Sequence, residues 1–297
     1  MPNPREGACW AFIRGSFEFF VYGWYPDTEK WRVNLSFILL IFAIVGVLKE
    51  RLPGKKYWLW FAAAFPFIAA WLLLGGLGLQ QVETSKLGGI LLTIIIGVTG
   101  ISFSLPIGIV LALGRRSNMP ALKTVCVLFI EFIRGVPLIT LLFVASTMLT
   151  YFLPPGSTFD LLMRVLIMVT LFSSAYIAEV VRGGLQGLPP GQYEAADSLG
   201  LTYWKAHRLI ILPQALKISI PGIVNTFIGL FKDTTLVLII GMMDIVGLGR
   251  ARLNDPYWLG LAGELYLFIA IFFFICCFSM SRYSINLENK LSTGRRD

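Results

Sequence analysis

Lys232 and Asp233 stand side by side inside an apolar run, with Thr234 and Thr235 directly after them and Asn225 two helical turns before. Adjacent residues of a helix point about 100° apart, so the two charges neutralise one another poorly and each needs another partner. A zwitterion supplies both signs: an ammonium for Asp233 and a carboxylate for a cation or a helix N-terminus, with the hydroxyls and the amide adding hydrogen bonds. The plainer alternative is that Lys232 bonds Glu179 or Glu131 and braces its neighbours. A second constellation, Glu131 and Arg134, has the three-residue spacing at which helical side chains pair, and Glu179 lies in a similar apolar setting further along. It reads as an ion-pair cluster, structural or gating, with a substrate contact as the alternative. No nucleophile stands beside a base and no GxxxxGK[ST] loop occurs. Cys9, Cys126, Cys276 and Cys277 lack CxxC spacing, and His207 is the only histidine. No metal or other cofactor is expected in this chain, and no enzymatic activity of its own.

The elements that must hold these residues are membrane spans. Of 297 residues, 56% are apolar and 14% charged, where soluble domains run at about 45–50% and about 25%. Mean hydropathy is +0.74. A soluble fold of this size keeps about a quarter of its unfolded surface wet and has no room for so much apolar area. The net charge of +8 then needs no nucleic acid, because lysines and arginines held at an anionic leaflet give the same surplus. Crossing about 30 Å of hydrocarbon takes about 20 apolar residues. Seven segments qualify: Val33–Leu48, Tyr57–Leu79, Leu87–Leu113, Val125–Phe152, Leu161–Val181, Ile218–Gly241 and Leu259–Ser281. The expected fold is an all-α integral membrane protein.

Basic residues orient the spans. One alternating set of loops holds fifteen of them: Lys49, Arg51, Lys55, Lys56, Arg115, Arg116, Lys123, Arg182, Lys205, Arg208, Lys217, Arg282, Lys290, Arg295 and Arg296. The other holds three, Lys86, Arg250 and Arg252. The rich set, and with it the C-terminus, is expected in the cytoplasm. Residues 1–32 then form an external tail, whose aromatic stretch Trp10–Tyr25 is expected along the interface. Arg14 and Glu18 interrupt any signal-peptide core. Residues 33–86 make two spans, 87–291 a core, and 292–297 a cytoplasmic tail.

The connection 183–217 is too patterned for a linker. Leu188-Pro189-Pro190-Gly191 breaks a helix, and Gln192 to Leu199 forms a short one that Gly200 ends in a left-handed turn. A second helix is expected from Thr202, its N-cap, to Leu212, closed by Pro213. Exposed alanines, Ala195 and Ala196, and acids on such a projection suit close approach by another protein.

At these residues a resemblance enters. Glu194-Ala195-Ala196, Gly200, Ile210 and Leu212-Pro213 stand at the spacing of the EAA signature of permease subunits of prokaryotic ABC importers. Glu131-Phe132-Ile133-Arg134-Gly135-Val136-Pro137-Leu138, Ala178-Glu179-Val180-Val181-Arg182-Gly183-Gly184 and Leu230-Phe231-Lys232-Asp233-Thr234-Thr235-Leu236 resemble the polar amino acid branch, which has Leu where Phe231 stands. The tail Gly7 to Arg32 resembles longer members, which carry another span ahead of it. The resemblance implies a five-helix, methionine-importer-like permease core. It implies that Glu194, Ala195, Ala196, Asp197 and Gly200 couple to an ATPase. It implies as partners a homologous permease, two cytoplasmic ATPases that bind ATP and Mg, an external substrate-binding protein and a polar amino acid. The segment Asp244–Tyr257, with Gly247, Gly249, Arg250 and Arg252, is then either part of a docking surface for the binding protein or a solvated loop. An ion-coupled secondary transporter and a membrane scaffold are the rival readings.

Overall fold

The computed structural model describes residues 9–49, 53–148, 151 and 159–292. The expected sites at 1–8, Arg51, Arg295 and Arg296 lie outside these. The chain opens with α1 (Trp10–Tyr22), followed by the hairpin α2 (Lys30–Leu48) and α3 (Lys55–Leu74). Then come α4 (Gly89–Arg115), α5 (Pro120–Gly135), α6 (Leu138–Phe143) and α7 (Leu161–Gln186). Two short helices, α8 (Gly191–Ser198) and α9 (Tyr203–Ala206), lead into α10 (Leu212–Asp233), and α11 (Ile245–Leu253) and α12 (Ala262–Ser292) complete the bundle. Among the described residues, six helical segments have the length and apolarity to cross a membrane: Asp27–Leu48, Lys55–Leu74, Gly89–Arg115, Leu161–Gln186, Tyr203–Ile240 and Ala262–Leu291.

The fourth expected span, Val125–Phe152, is broken. Pro120–Gly135 and Leu138–Met148 meet at 103°. Val136, forced out of the helical region by the ring that follows it, is extended at φ −112° and ψ 133°. Pro137 has no N–H with which to continue the ladder. Residues 149, 150 and 152 of that segment lie outside the described ones.

Pro213 also acts differently from expectation. It does not close a helix; it stands in the first turn of α10, and helix runs unbroken from Tyr203 to Ile240. A π-type widening at His207–Ile211 just ahead of it accommodates the ring and its missing donor. Beyond Asp233 the chain tightens to a 3-10 helix over Thr234–Ile240.

α4 is the axis on which α5, α7 and α10 pack. Apolar matching between helices gains little inside a bilayer, so small residues that permit close approach dominate such contacts. A Cβ on Gly97 would stand 2.8 Å from Phe231, on Gly108 2.5 Å from Ile177, and on Gly114 2.5 Å from the Cys126 Sγ. The hairpin α2–α3 is fastened at one end by Arg32, which is 2% exposed. Its guanidinium pairs with Glu29 at 2.6 Å and donates to the Gln80 carbonyl at 2.7 Å. Tyr25 donates to the Leu73 carbonyl beside it.

The aromatic stretch packs against the rest of the bundle. Phe12, Ser16 and Phe20, spaced by one helical turn, are buried. Phe12 meets Trp258 and Phe20 stacks on Phe268. Cys9 N–H donates to Glu264, and Arg252 donates to Ser16. Trp10, Phe17 and Trp24 remain exposed. α1 thus crosses the end of the bundle opposite to α8, fixed to α11 and α12.

Candidate coupling and translocation site

Three groups of polar residues lie along α4, α7 and α10. The first sits where α4, α5 and α7 end near α8. Glu179 on α7 is the hub: Arg115 reaches it at 2.8 Å, Arg182 at 2.9 Å and Arg134 at 3.5 Å. Arg115 also binds Glu131 at 2.8 Å. Glu131 and Arg134 therefore do not pair with one another as their spacing suggested. The carboxylate of Glu179, 14% exposed against 54% for Glu131, is the more desolvated, and it draws the guanidiniums across the helix boundaries. Sequence reasoning counted Arg115 and Arg182 only as loop charges. The signal that could have revealed them is the repeated Glu-x-x-Arg spacing, Glu131–Arg134 and Glu179–Arg182.

The second group is the elbow. α8 ends in a Schellman motif: Gly200 N–H bonds the Asp197 carbonyl and Leu201 N–H the Ala196 carbonyl. Gly200 has φ +68°, with nothing within 4 Å of a built Cβ. Glycine holds that conformation at no steric cost, and among other residues chiefly asparagine and aspartate tolerate it. Glu194, Ala195 and Asp197 are exposed, whereas Ala196 is buried. The expectation of an exposed Ala196 is thus corrected, because the 3.6-residue period turns it towards the bundle. Thr202 occupies the N-cap position of α9 without a side-chain capping bond. Leu199 and Trp204 add exposed apolar surface beside the acids. Tyr193 ties α8 down: its hydroxyl donates to the Leu185 carbonyl at 3.2 Å and accepts from Arg116 at 3.1 Å. Gln214 of α10 donates to Gln192 at 2.9 Å.

The third group ends α10. Lys232 is exposed, Asp233 half-buried and Asn225 exposed. Among the described residues neither Lys232 nor Asp233 has a side-chain hydrogen bond or ion pair, and the bracing of Lys232 on Glu179 or Glu131 is not observed. Thr234 donates to the Phe231 carbonyl and Thr235 to the Lys232 carbonyl. Both hydroxyls serve the backbone where α10 tightens. Near the opposite end, the segment Asp244–Tyr257 is folded: Asp244, fully buried, caps α11 by accepting from Gly247 N–H at 2.9 Å. Burial pushes its carboxyl up to about 6. Arg250 donates to Tyr266, and Arg252 pairs with Asp255 at 3.8 Å. Asp244 escaped sequence reasoning because its segment read as a loop.

A polytopic helical bundle with a glycine-jointed elbow at one end is the architecture of a transporter's membrane subunit. The fold matches a crystal structure of an amino acid ABC transporter with histidines at TM-score 0.60 and 30% identity, covering 68% of this chain and 92% of that one. It also matches an inward-facing MetNI methionine ABC transporter at TM-score 0.51 and 21% identity, covering 66% and 91%, a likeness of fold alone. Residues 104–293 match the family described as binding-protein-dependent transport system inner membrane component, and the chain belongs to it. The inner membrane amino-acid ABC transporter permease protein YhdY of Escherichia coli K12 is 52% identical, over 98% of this chain and 80% of that protein. The glutamate/glutamine/aspartate/asparagine transport system permease protein BztC of Rhodobacter capsulatus is 47% identical over the same shares. The chain is an ABC importer permease subunit, multi-pass in the inner membrane, and not an enzyme; ATP hydrolysis belongs to separate subunits.

Proposed function

We propose that this permease carries polar L-amino acids, of the class for which the Rhodobacter relative is named. In this reading it pairs with a homologous permease. Two ATPases binding ATP and Mg dock on α8, and an external binding protein delivers the substrate at the α1 end. The α8 end faces the cytoplasm, as the fifteen-to-three charge bias requires. The observation that carries the reading is the elbow, whose exposed Glu194, Ala195, Asp197, Leu199 and Trp204 make a surface on which another protein can press. Lys232 and Asp233, charged and without partners among the described residues, supply the substrate contact, because unpaired charge at bilayer depth requires a counter-charge. The Glu179 hub holds the cytoplasmic ends of three helices and acts as the gate.

The test is uptake into proteoliposomes bearing the whole complex, with ATP enclosed and binding protein outside. Uptake should vanish when the ATPase is catalytically inactive and persist with an uncoupler. Uptake that survives the inactive ATPase but collapses with the uncoupler would instead establish ion-coupled transport.

A further inference from the structure

Two consecutive arginines end α4 and point to different places. Arg115 runs inward to Glu131 and Glu179. Arg116 runs to the elbow, where it donates to the Tyr193 hydroxyl at 3.1 Å and lies 5.6 Å from the centre of the Tyr193 ring. The Tyr193 hydroxyl in turn donates to the carbonyl of Leu185 in the last turn of α7. That carbonyl is one of the four at a helix end that have no partner within the helix. A tyrosine suits this position because one hydroxyl accepts from the guanidinium while donating to the carbonyl. The positive charge beside the C-terminus of α7 also complements the helix dipole.

We propose that Tyr193 and Arg116 form the latch through which movement of α8 reaches the gate. The proposal rests on the reading of α8 as the ATPase contact. The chain of contacts is short and continuous: Tyr193 to Arg116, the peptide bond to Arg115, then Arg115 to Glu179 and Glu131. Tyr193 also holds the end of α7, which carries Glu179 six residues earlier. Displacement of α8 therefore pulls on α4 and α7 together and shears the ion pairs that join them. The Gln192–Gln214 bond attaches the same helix to α10 and keeps α8 from swinging free when the latch is strained. Tyr193 and Arg116 are positioning residues that touch no substrate.

The experiment uses the full complex in proteoliposomes and reads substrate transported per ATP hydrolysed. Tyr193→Phe removes the hydroxyl and keeps the ring. With complex yield and thermal stability as in the parent, that ratio should fall at least about ten-fold, because the hydroxyl loses both its bond from the Arg116 guanidinium and its bond to the Leu185 carbonyl. Arg116→Leu should lower the ratio too, and the double variant no further than the worse single variant, because both side chains lie on one path of contacts. An unchanged ratio in Tyr193→Phe, or additive losses in the double variant, overturns the latch. Loss of assembly in both single variants also overturns it, in favour of a structural brace. The underlying reading is checked separately by cross-linking Asp197→Cys to the ATPase in an otherwise unaltered complex. No cross-link removes that reading and the latch with it. A cross-link with an unchanged coupling ratio removes the latch alone.

Discussion

Glu179 shows what a membrane interior does with charge at the scale of one residue. Three guanidiniums converge on it, because a carboxylate taken out of water is costly unless it is paired and hydrogen-bonded. Among the described residues Asp233 has no such company, and its behaviour separates a binding group from a brace. Asp233→Asn keeps shape and removes charge. A charged hydrogen bond contributes about 1.5–3 kcal/mol, so substrate binding to the permease–ATPase complex, measured without binding protein, should weaken roughly ten- to a hundred-fold. Assembly and thermal stability should hold; their loss together with binding would make Asp233 structural. Asp244 gives a pH prediction. Its folded-state carboxyl is raised from 3.8 to about 6 by burial, so the folded protein holds the proton more tightly than the unfolded chain. The stabilisation is fully present below about pH 4 and is lost as pH rises through about 6, a total of about 3 kcal/mol. The melting temperature in detergent should therefore drop between pH 5 and pH 7. Asp244→Asn, which keeps an N-cap side chain, should flatten that drop; equal slopes in the two proteins would place the titrating group elsewhere.

At the scale of elements, the elbow depends on one backbone conformation. Space around Gly200 is open, so a side chain there meets no neighbour and costs only the left-handed strain, about 1–2 kcal/mol for an ordinary residue. Gly200→Val should leave the protein in the membrane but abolish substrate-stimulated ATP turnover, as the angle between α8 and α9 is lost. Gly200→Asn, which tolerates that conformation, should retain most of it. Equal losses in the two variants would point to a steric clash with a partner instead of a backbone effect. The bend at Val136–Pro137 is an element of the same kind, in which the chain turns because a donor is missing.

The whole molecule has two unlike ends. α1, with exposed Trp10 and Phe17, closes one, and the arginine hub and the elbow occupy the other. Positive-inside bias predicts that the α1 end is external. Thr28→Cys should react with an impermeant thiol reagent added to intact cells, and Lys56→Cys should react only after the cells are opened. The reverse pattern would invert the topology and place α8 outside, where no ATPase could reach it.

What the amino-acid order determined alone is whatever depends on neighbours along the chain. Apolar runs near 20 residues specify spans, because hydrocarbon forces each to satisfy its own backbone. The pattern from Pro189 to Gly200 specifies a short helix with a glycine end, because capping is local. The tertiary structure decided the rest. Which guanidinium reaches Glu179, why Glu131 passes over Arg134 for Arg115, why Ala196 turns inward, and why α1 buries Phe12 and Phe20 all depend on how helices far apart in sequence cross and rotate. That rotation is governed by the small residues of α4, where the approach of Phe231, Ile177 and Cys126 fixes which side chains can meet. A charge in the membrane takes the nearest partner in space, and only the packed bundle defines which residue that is.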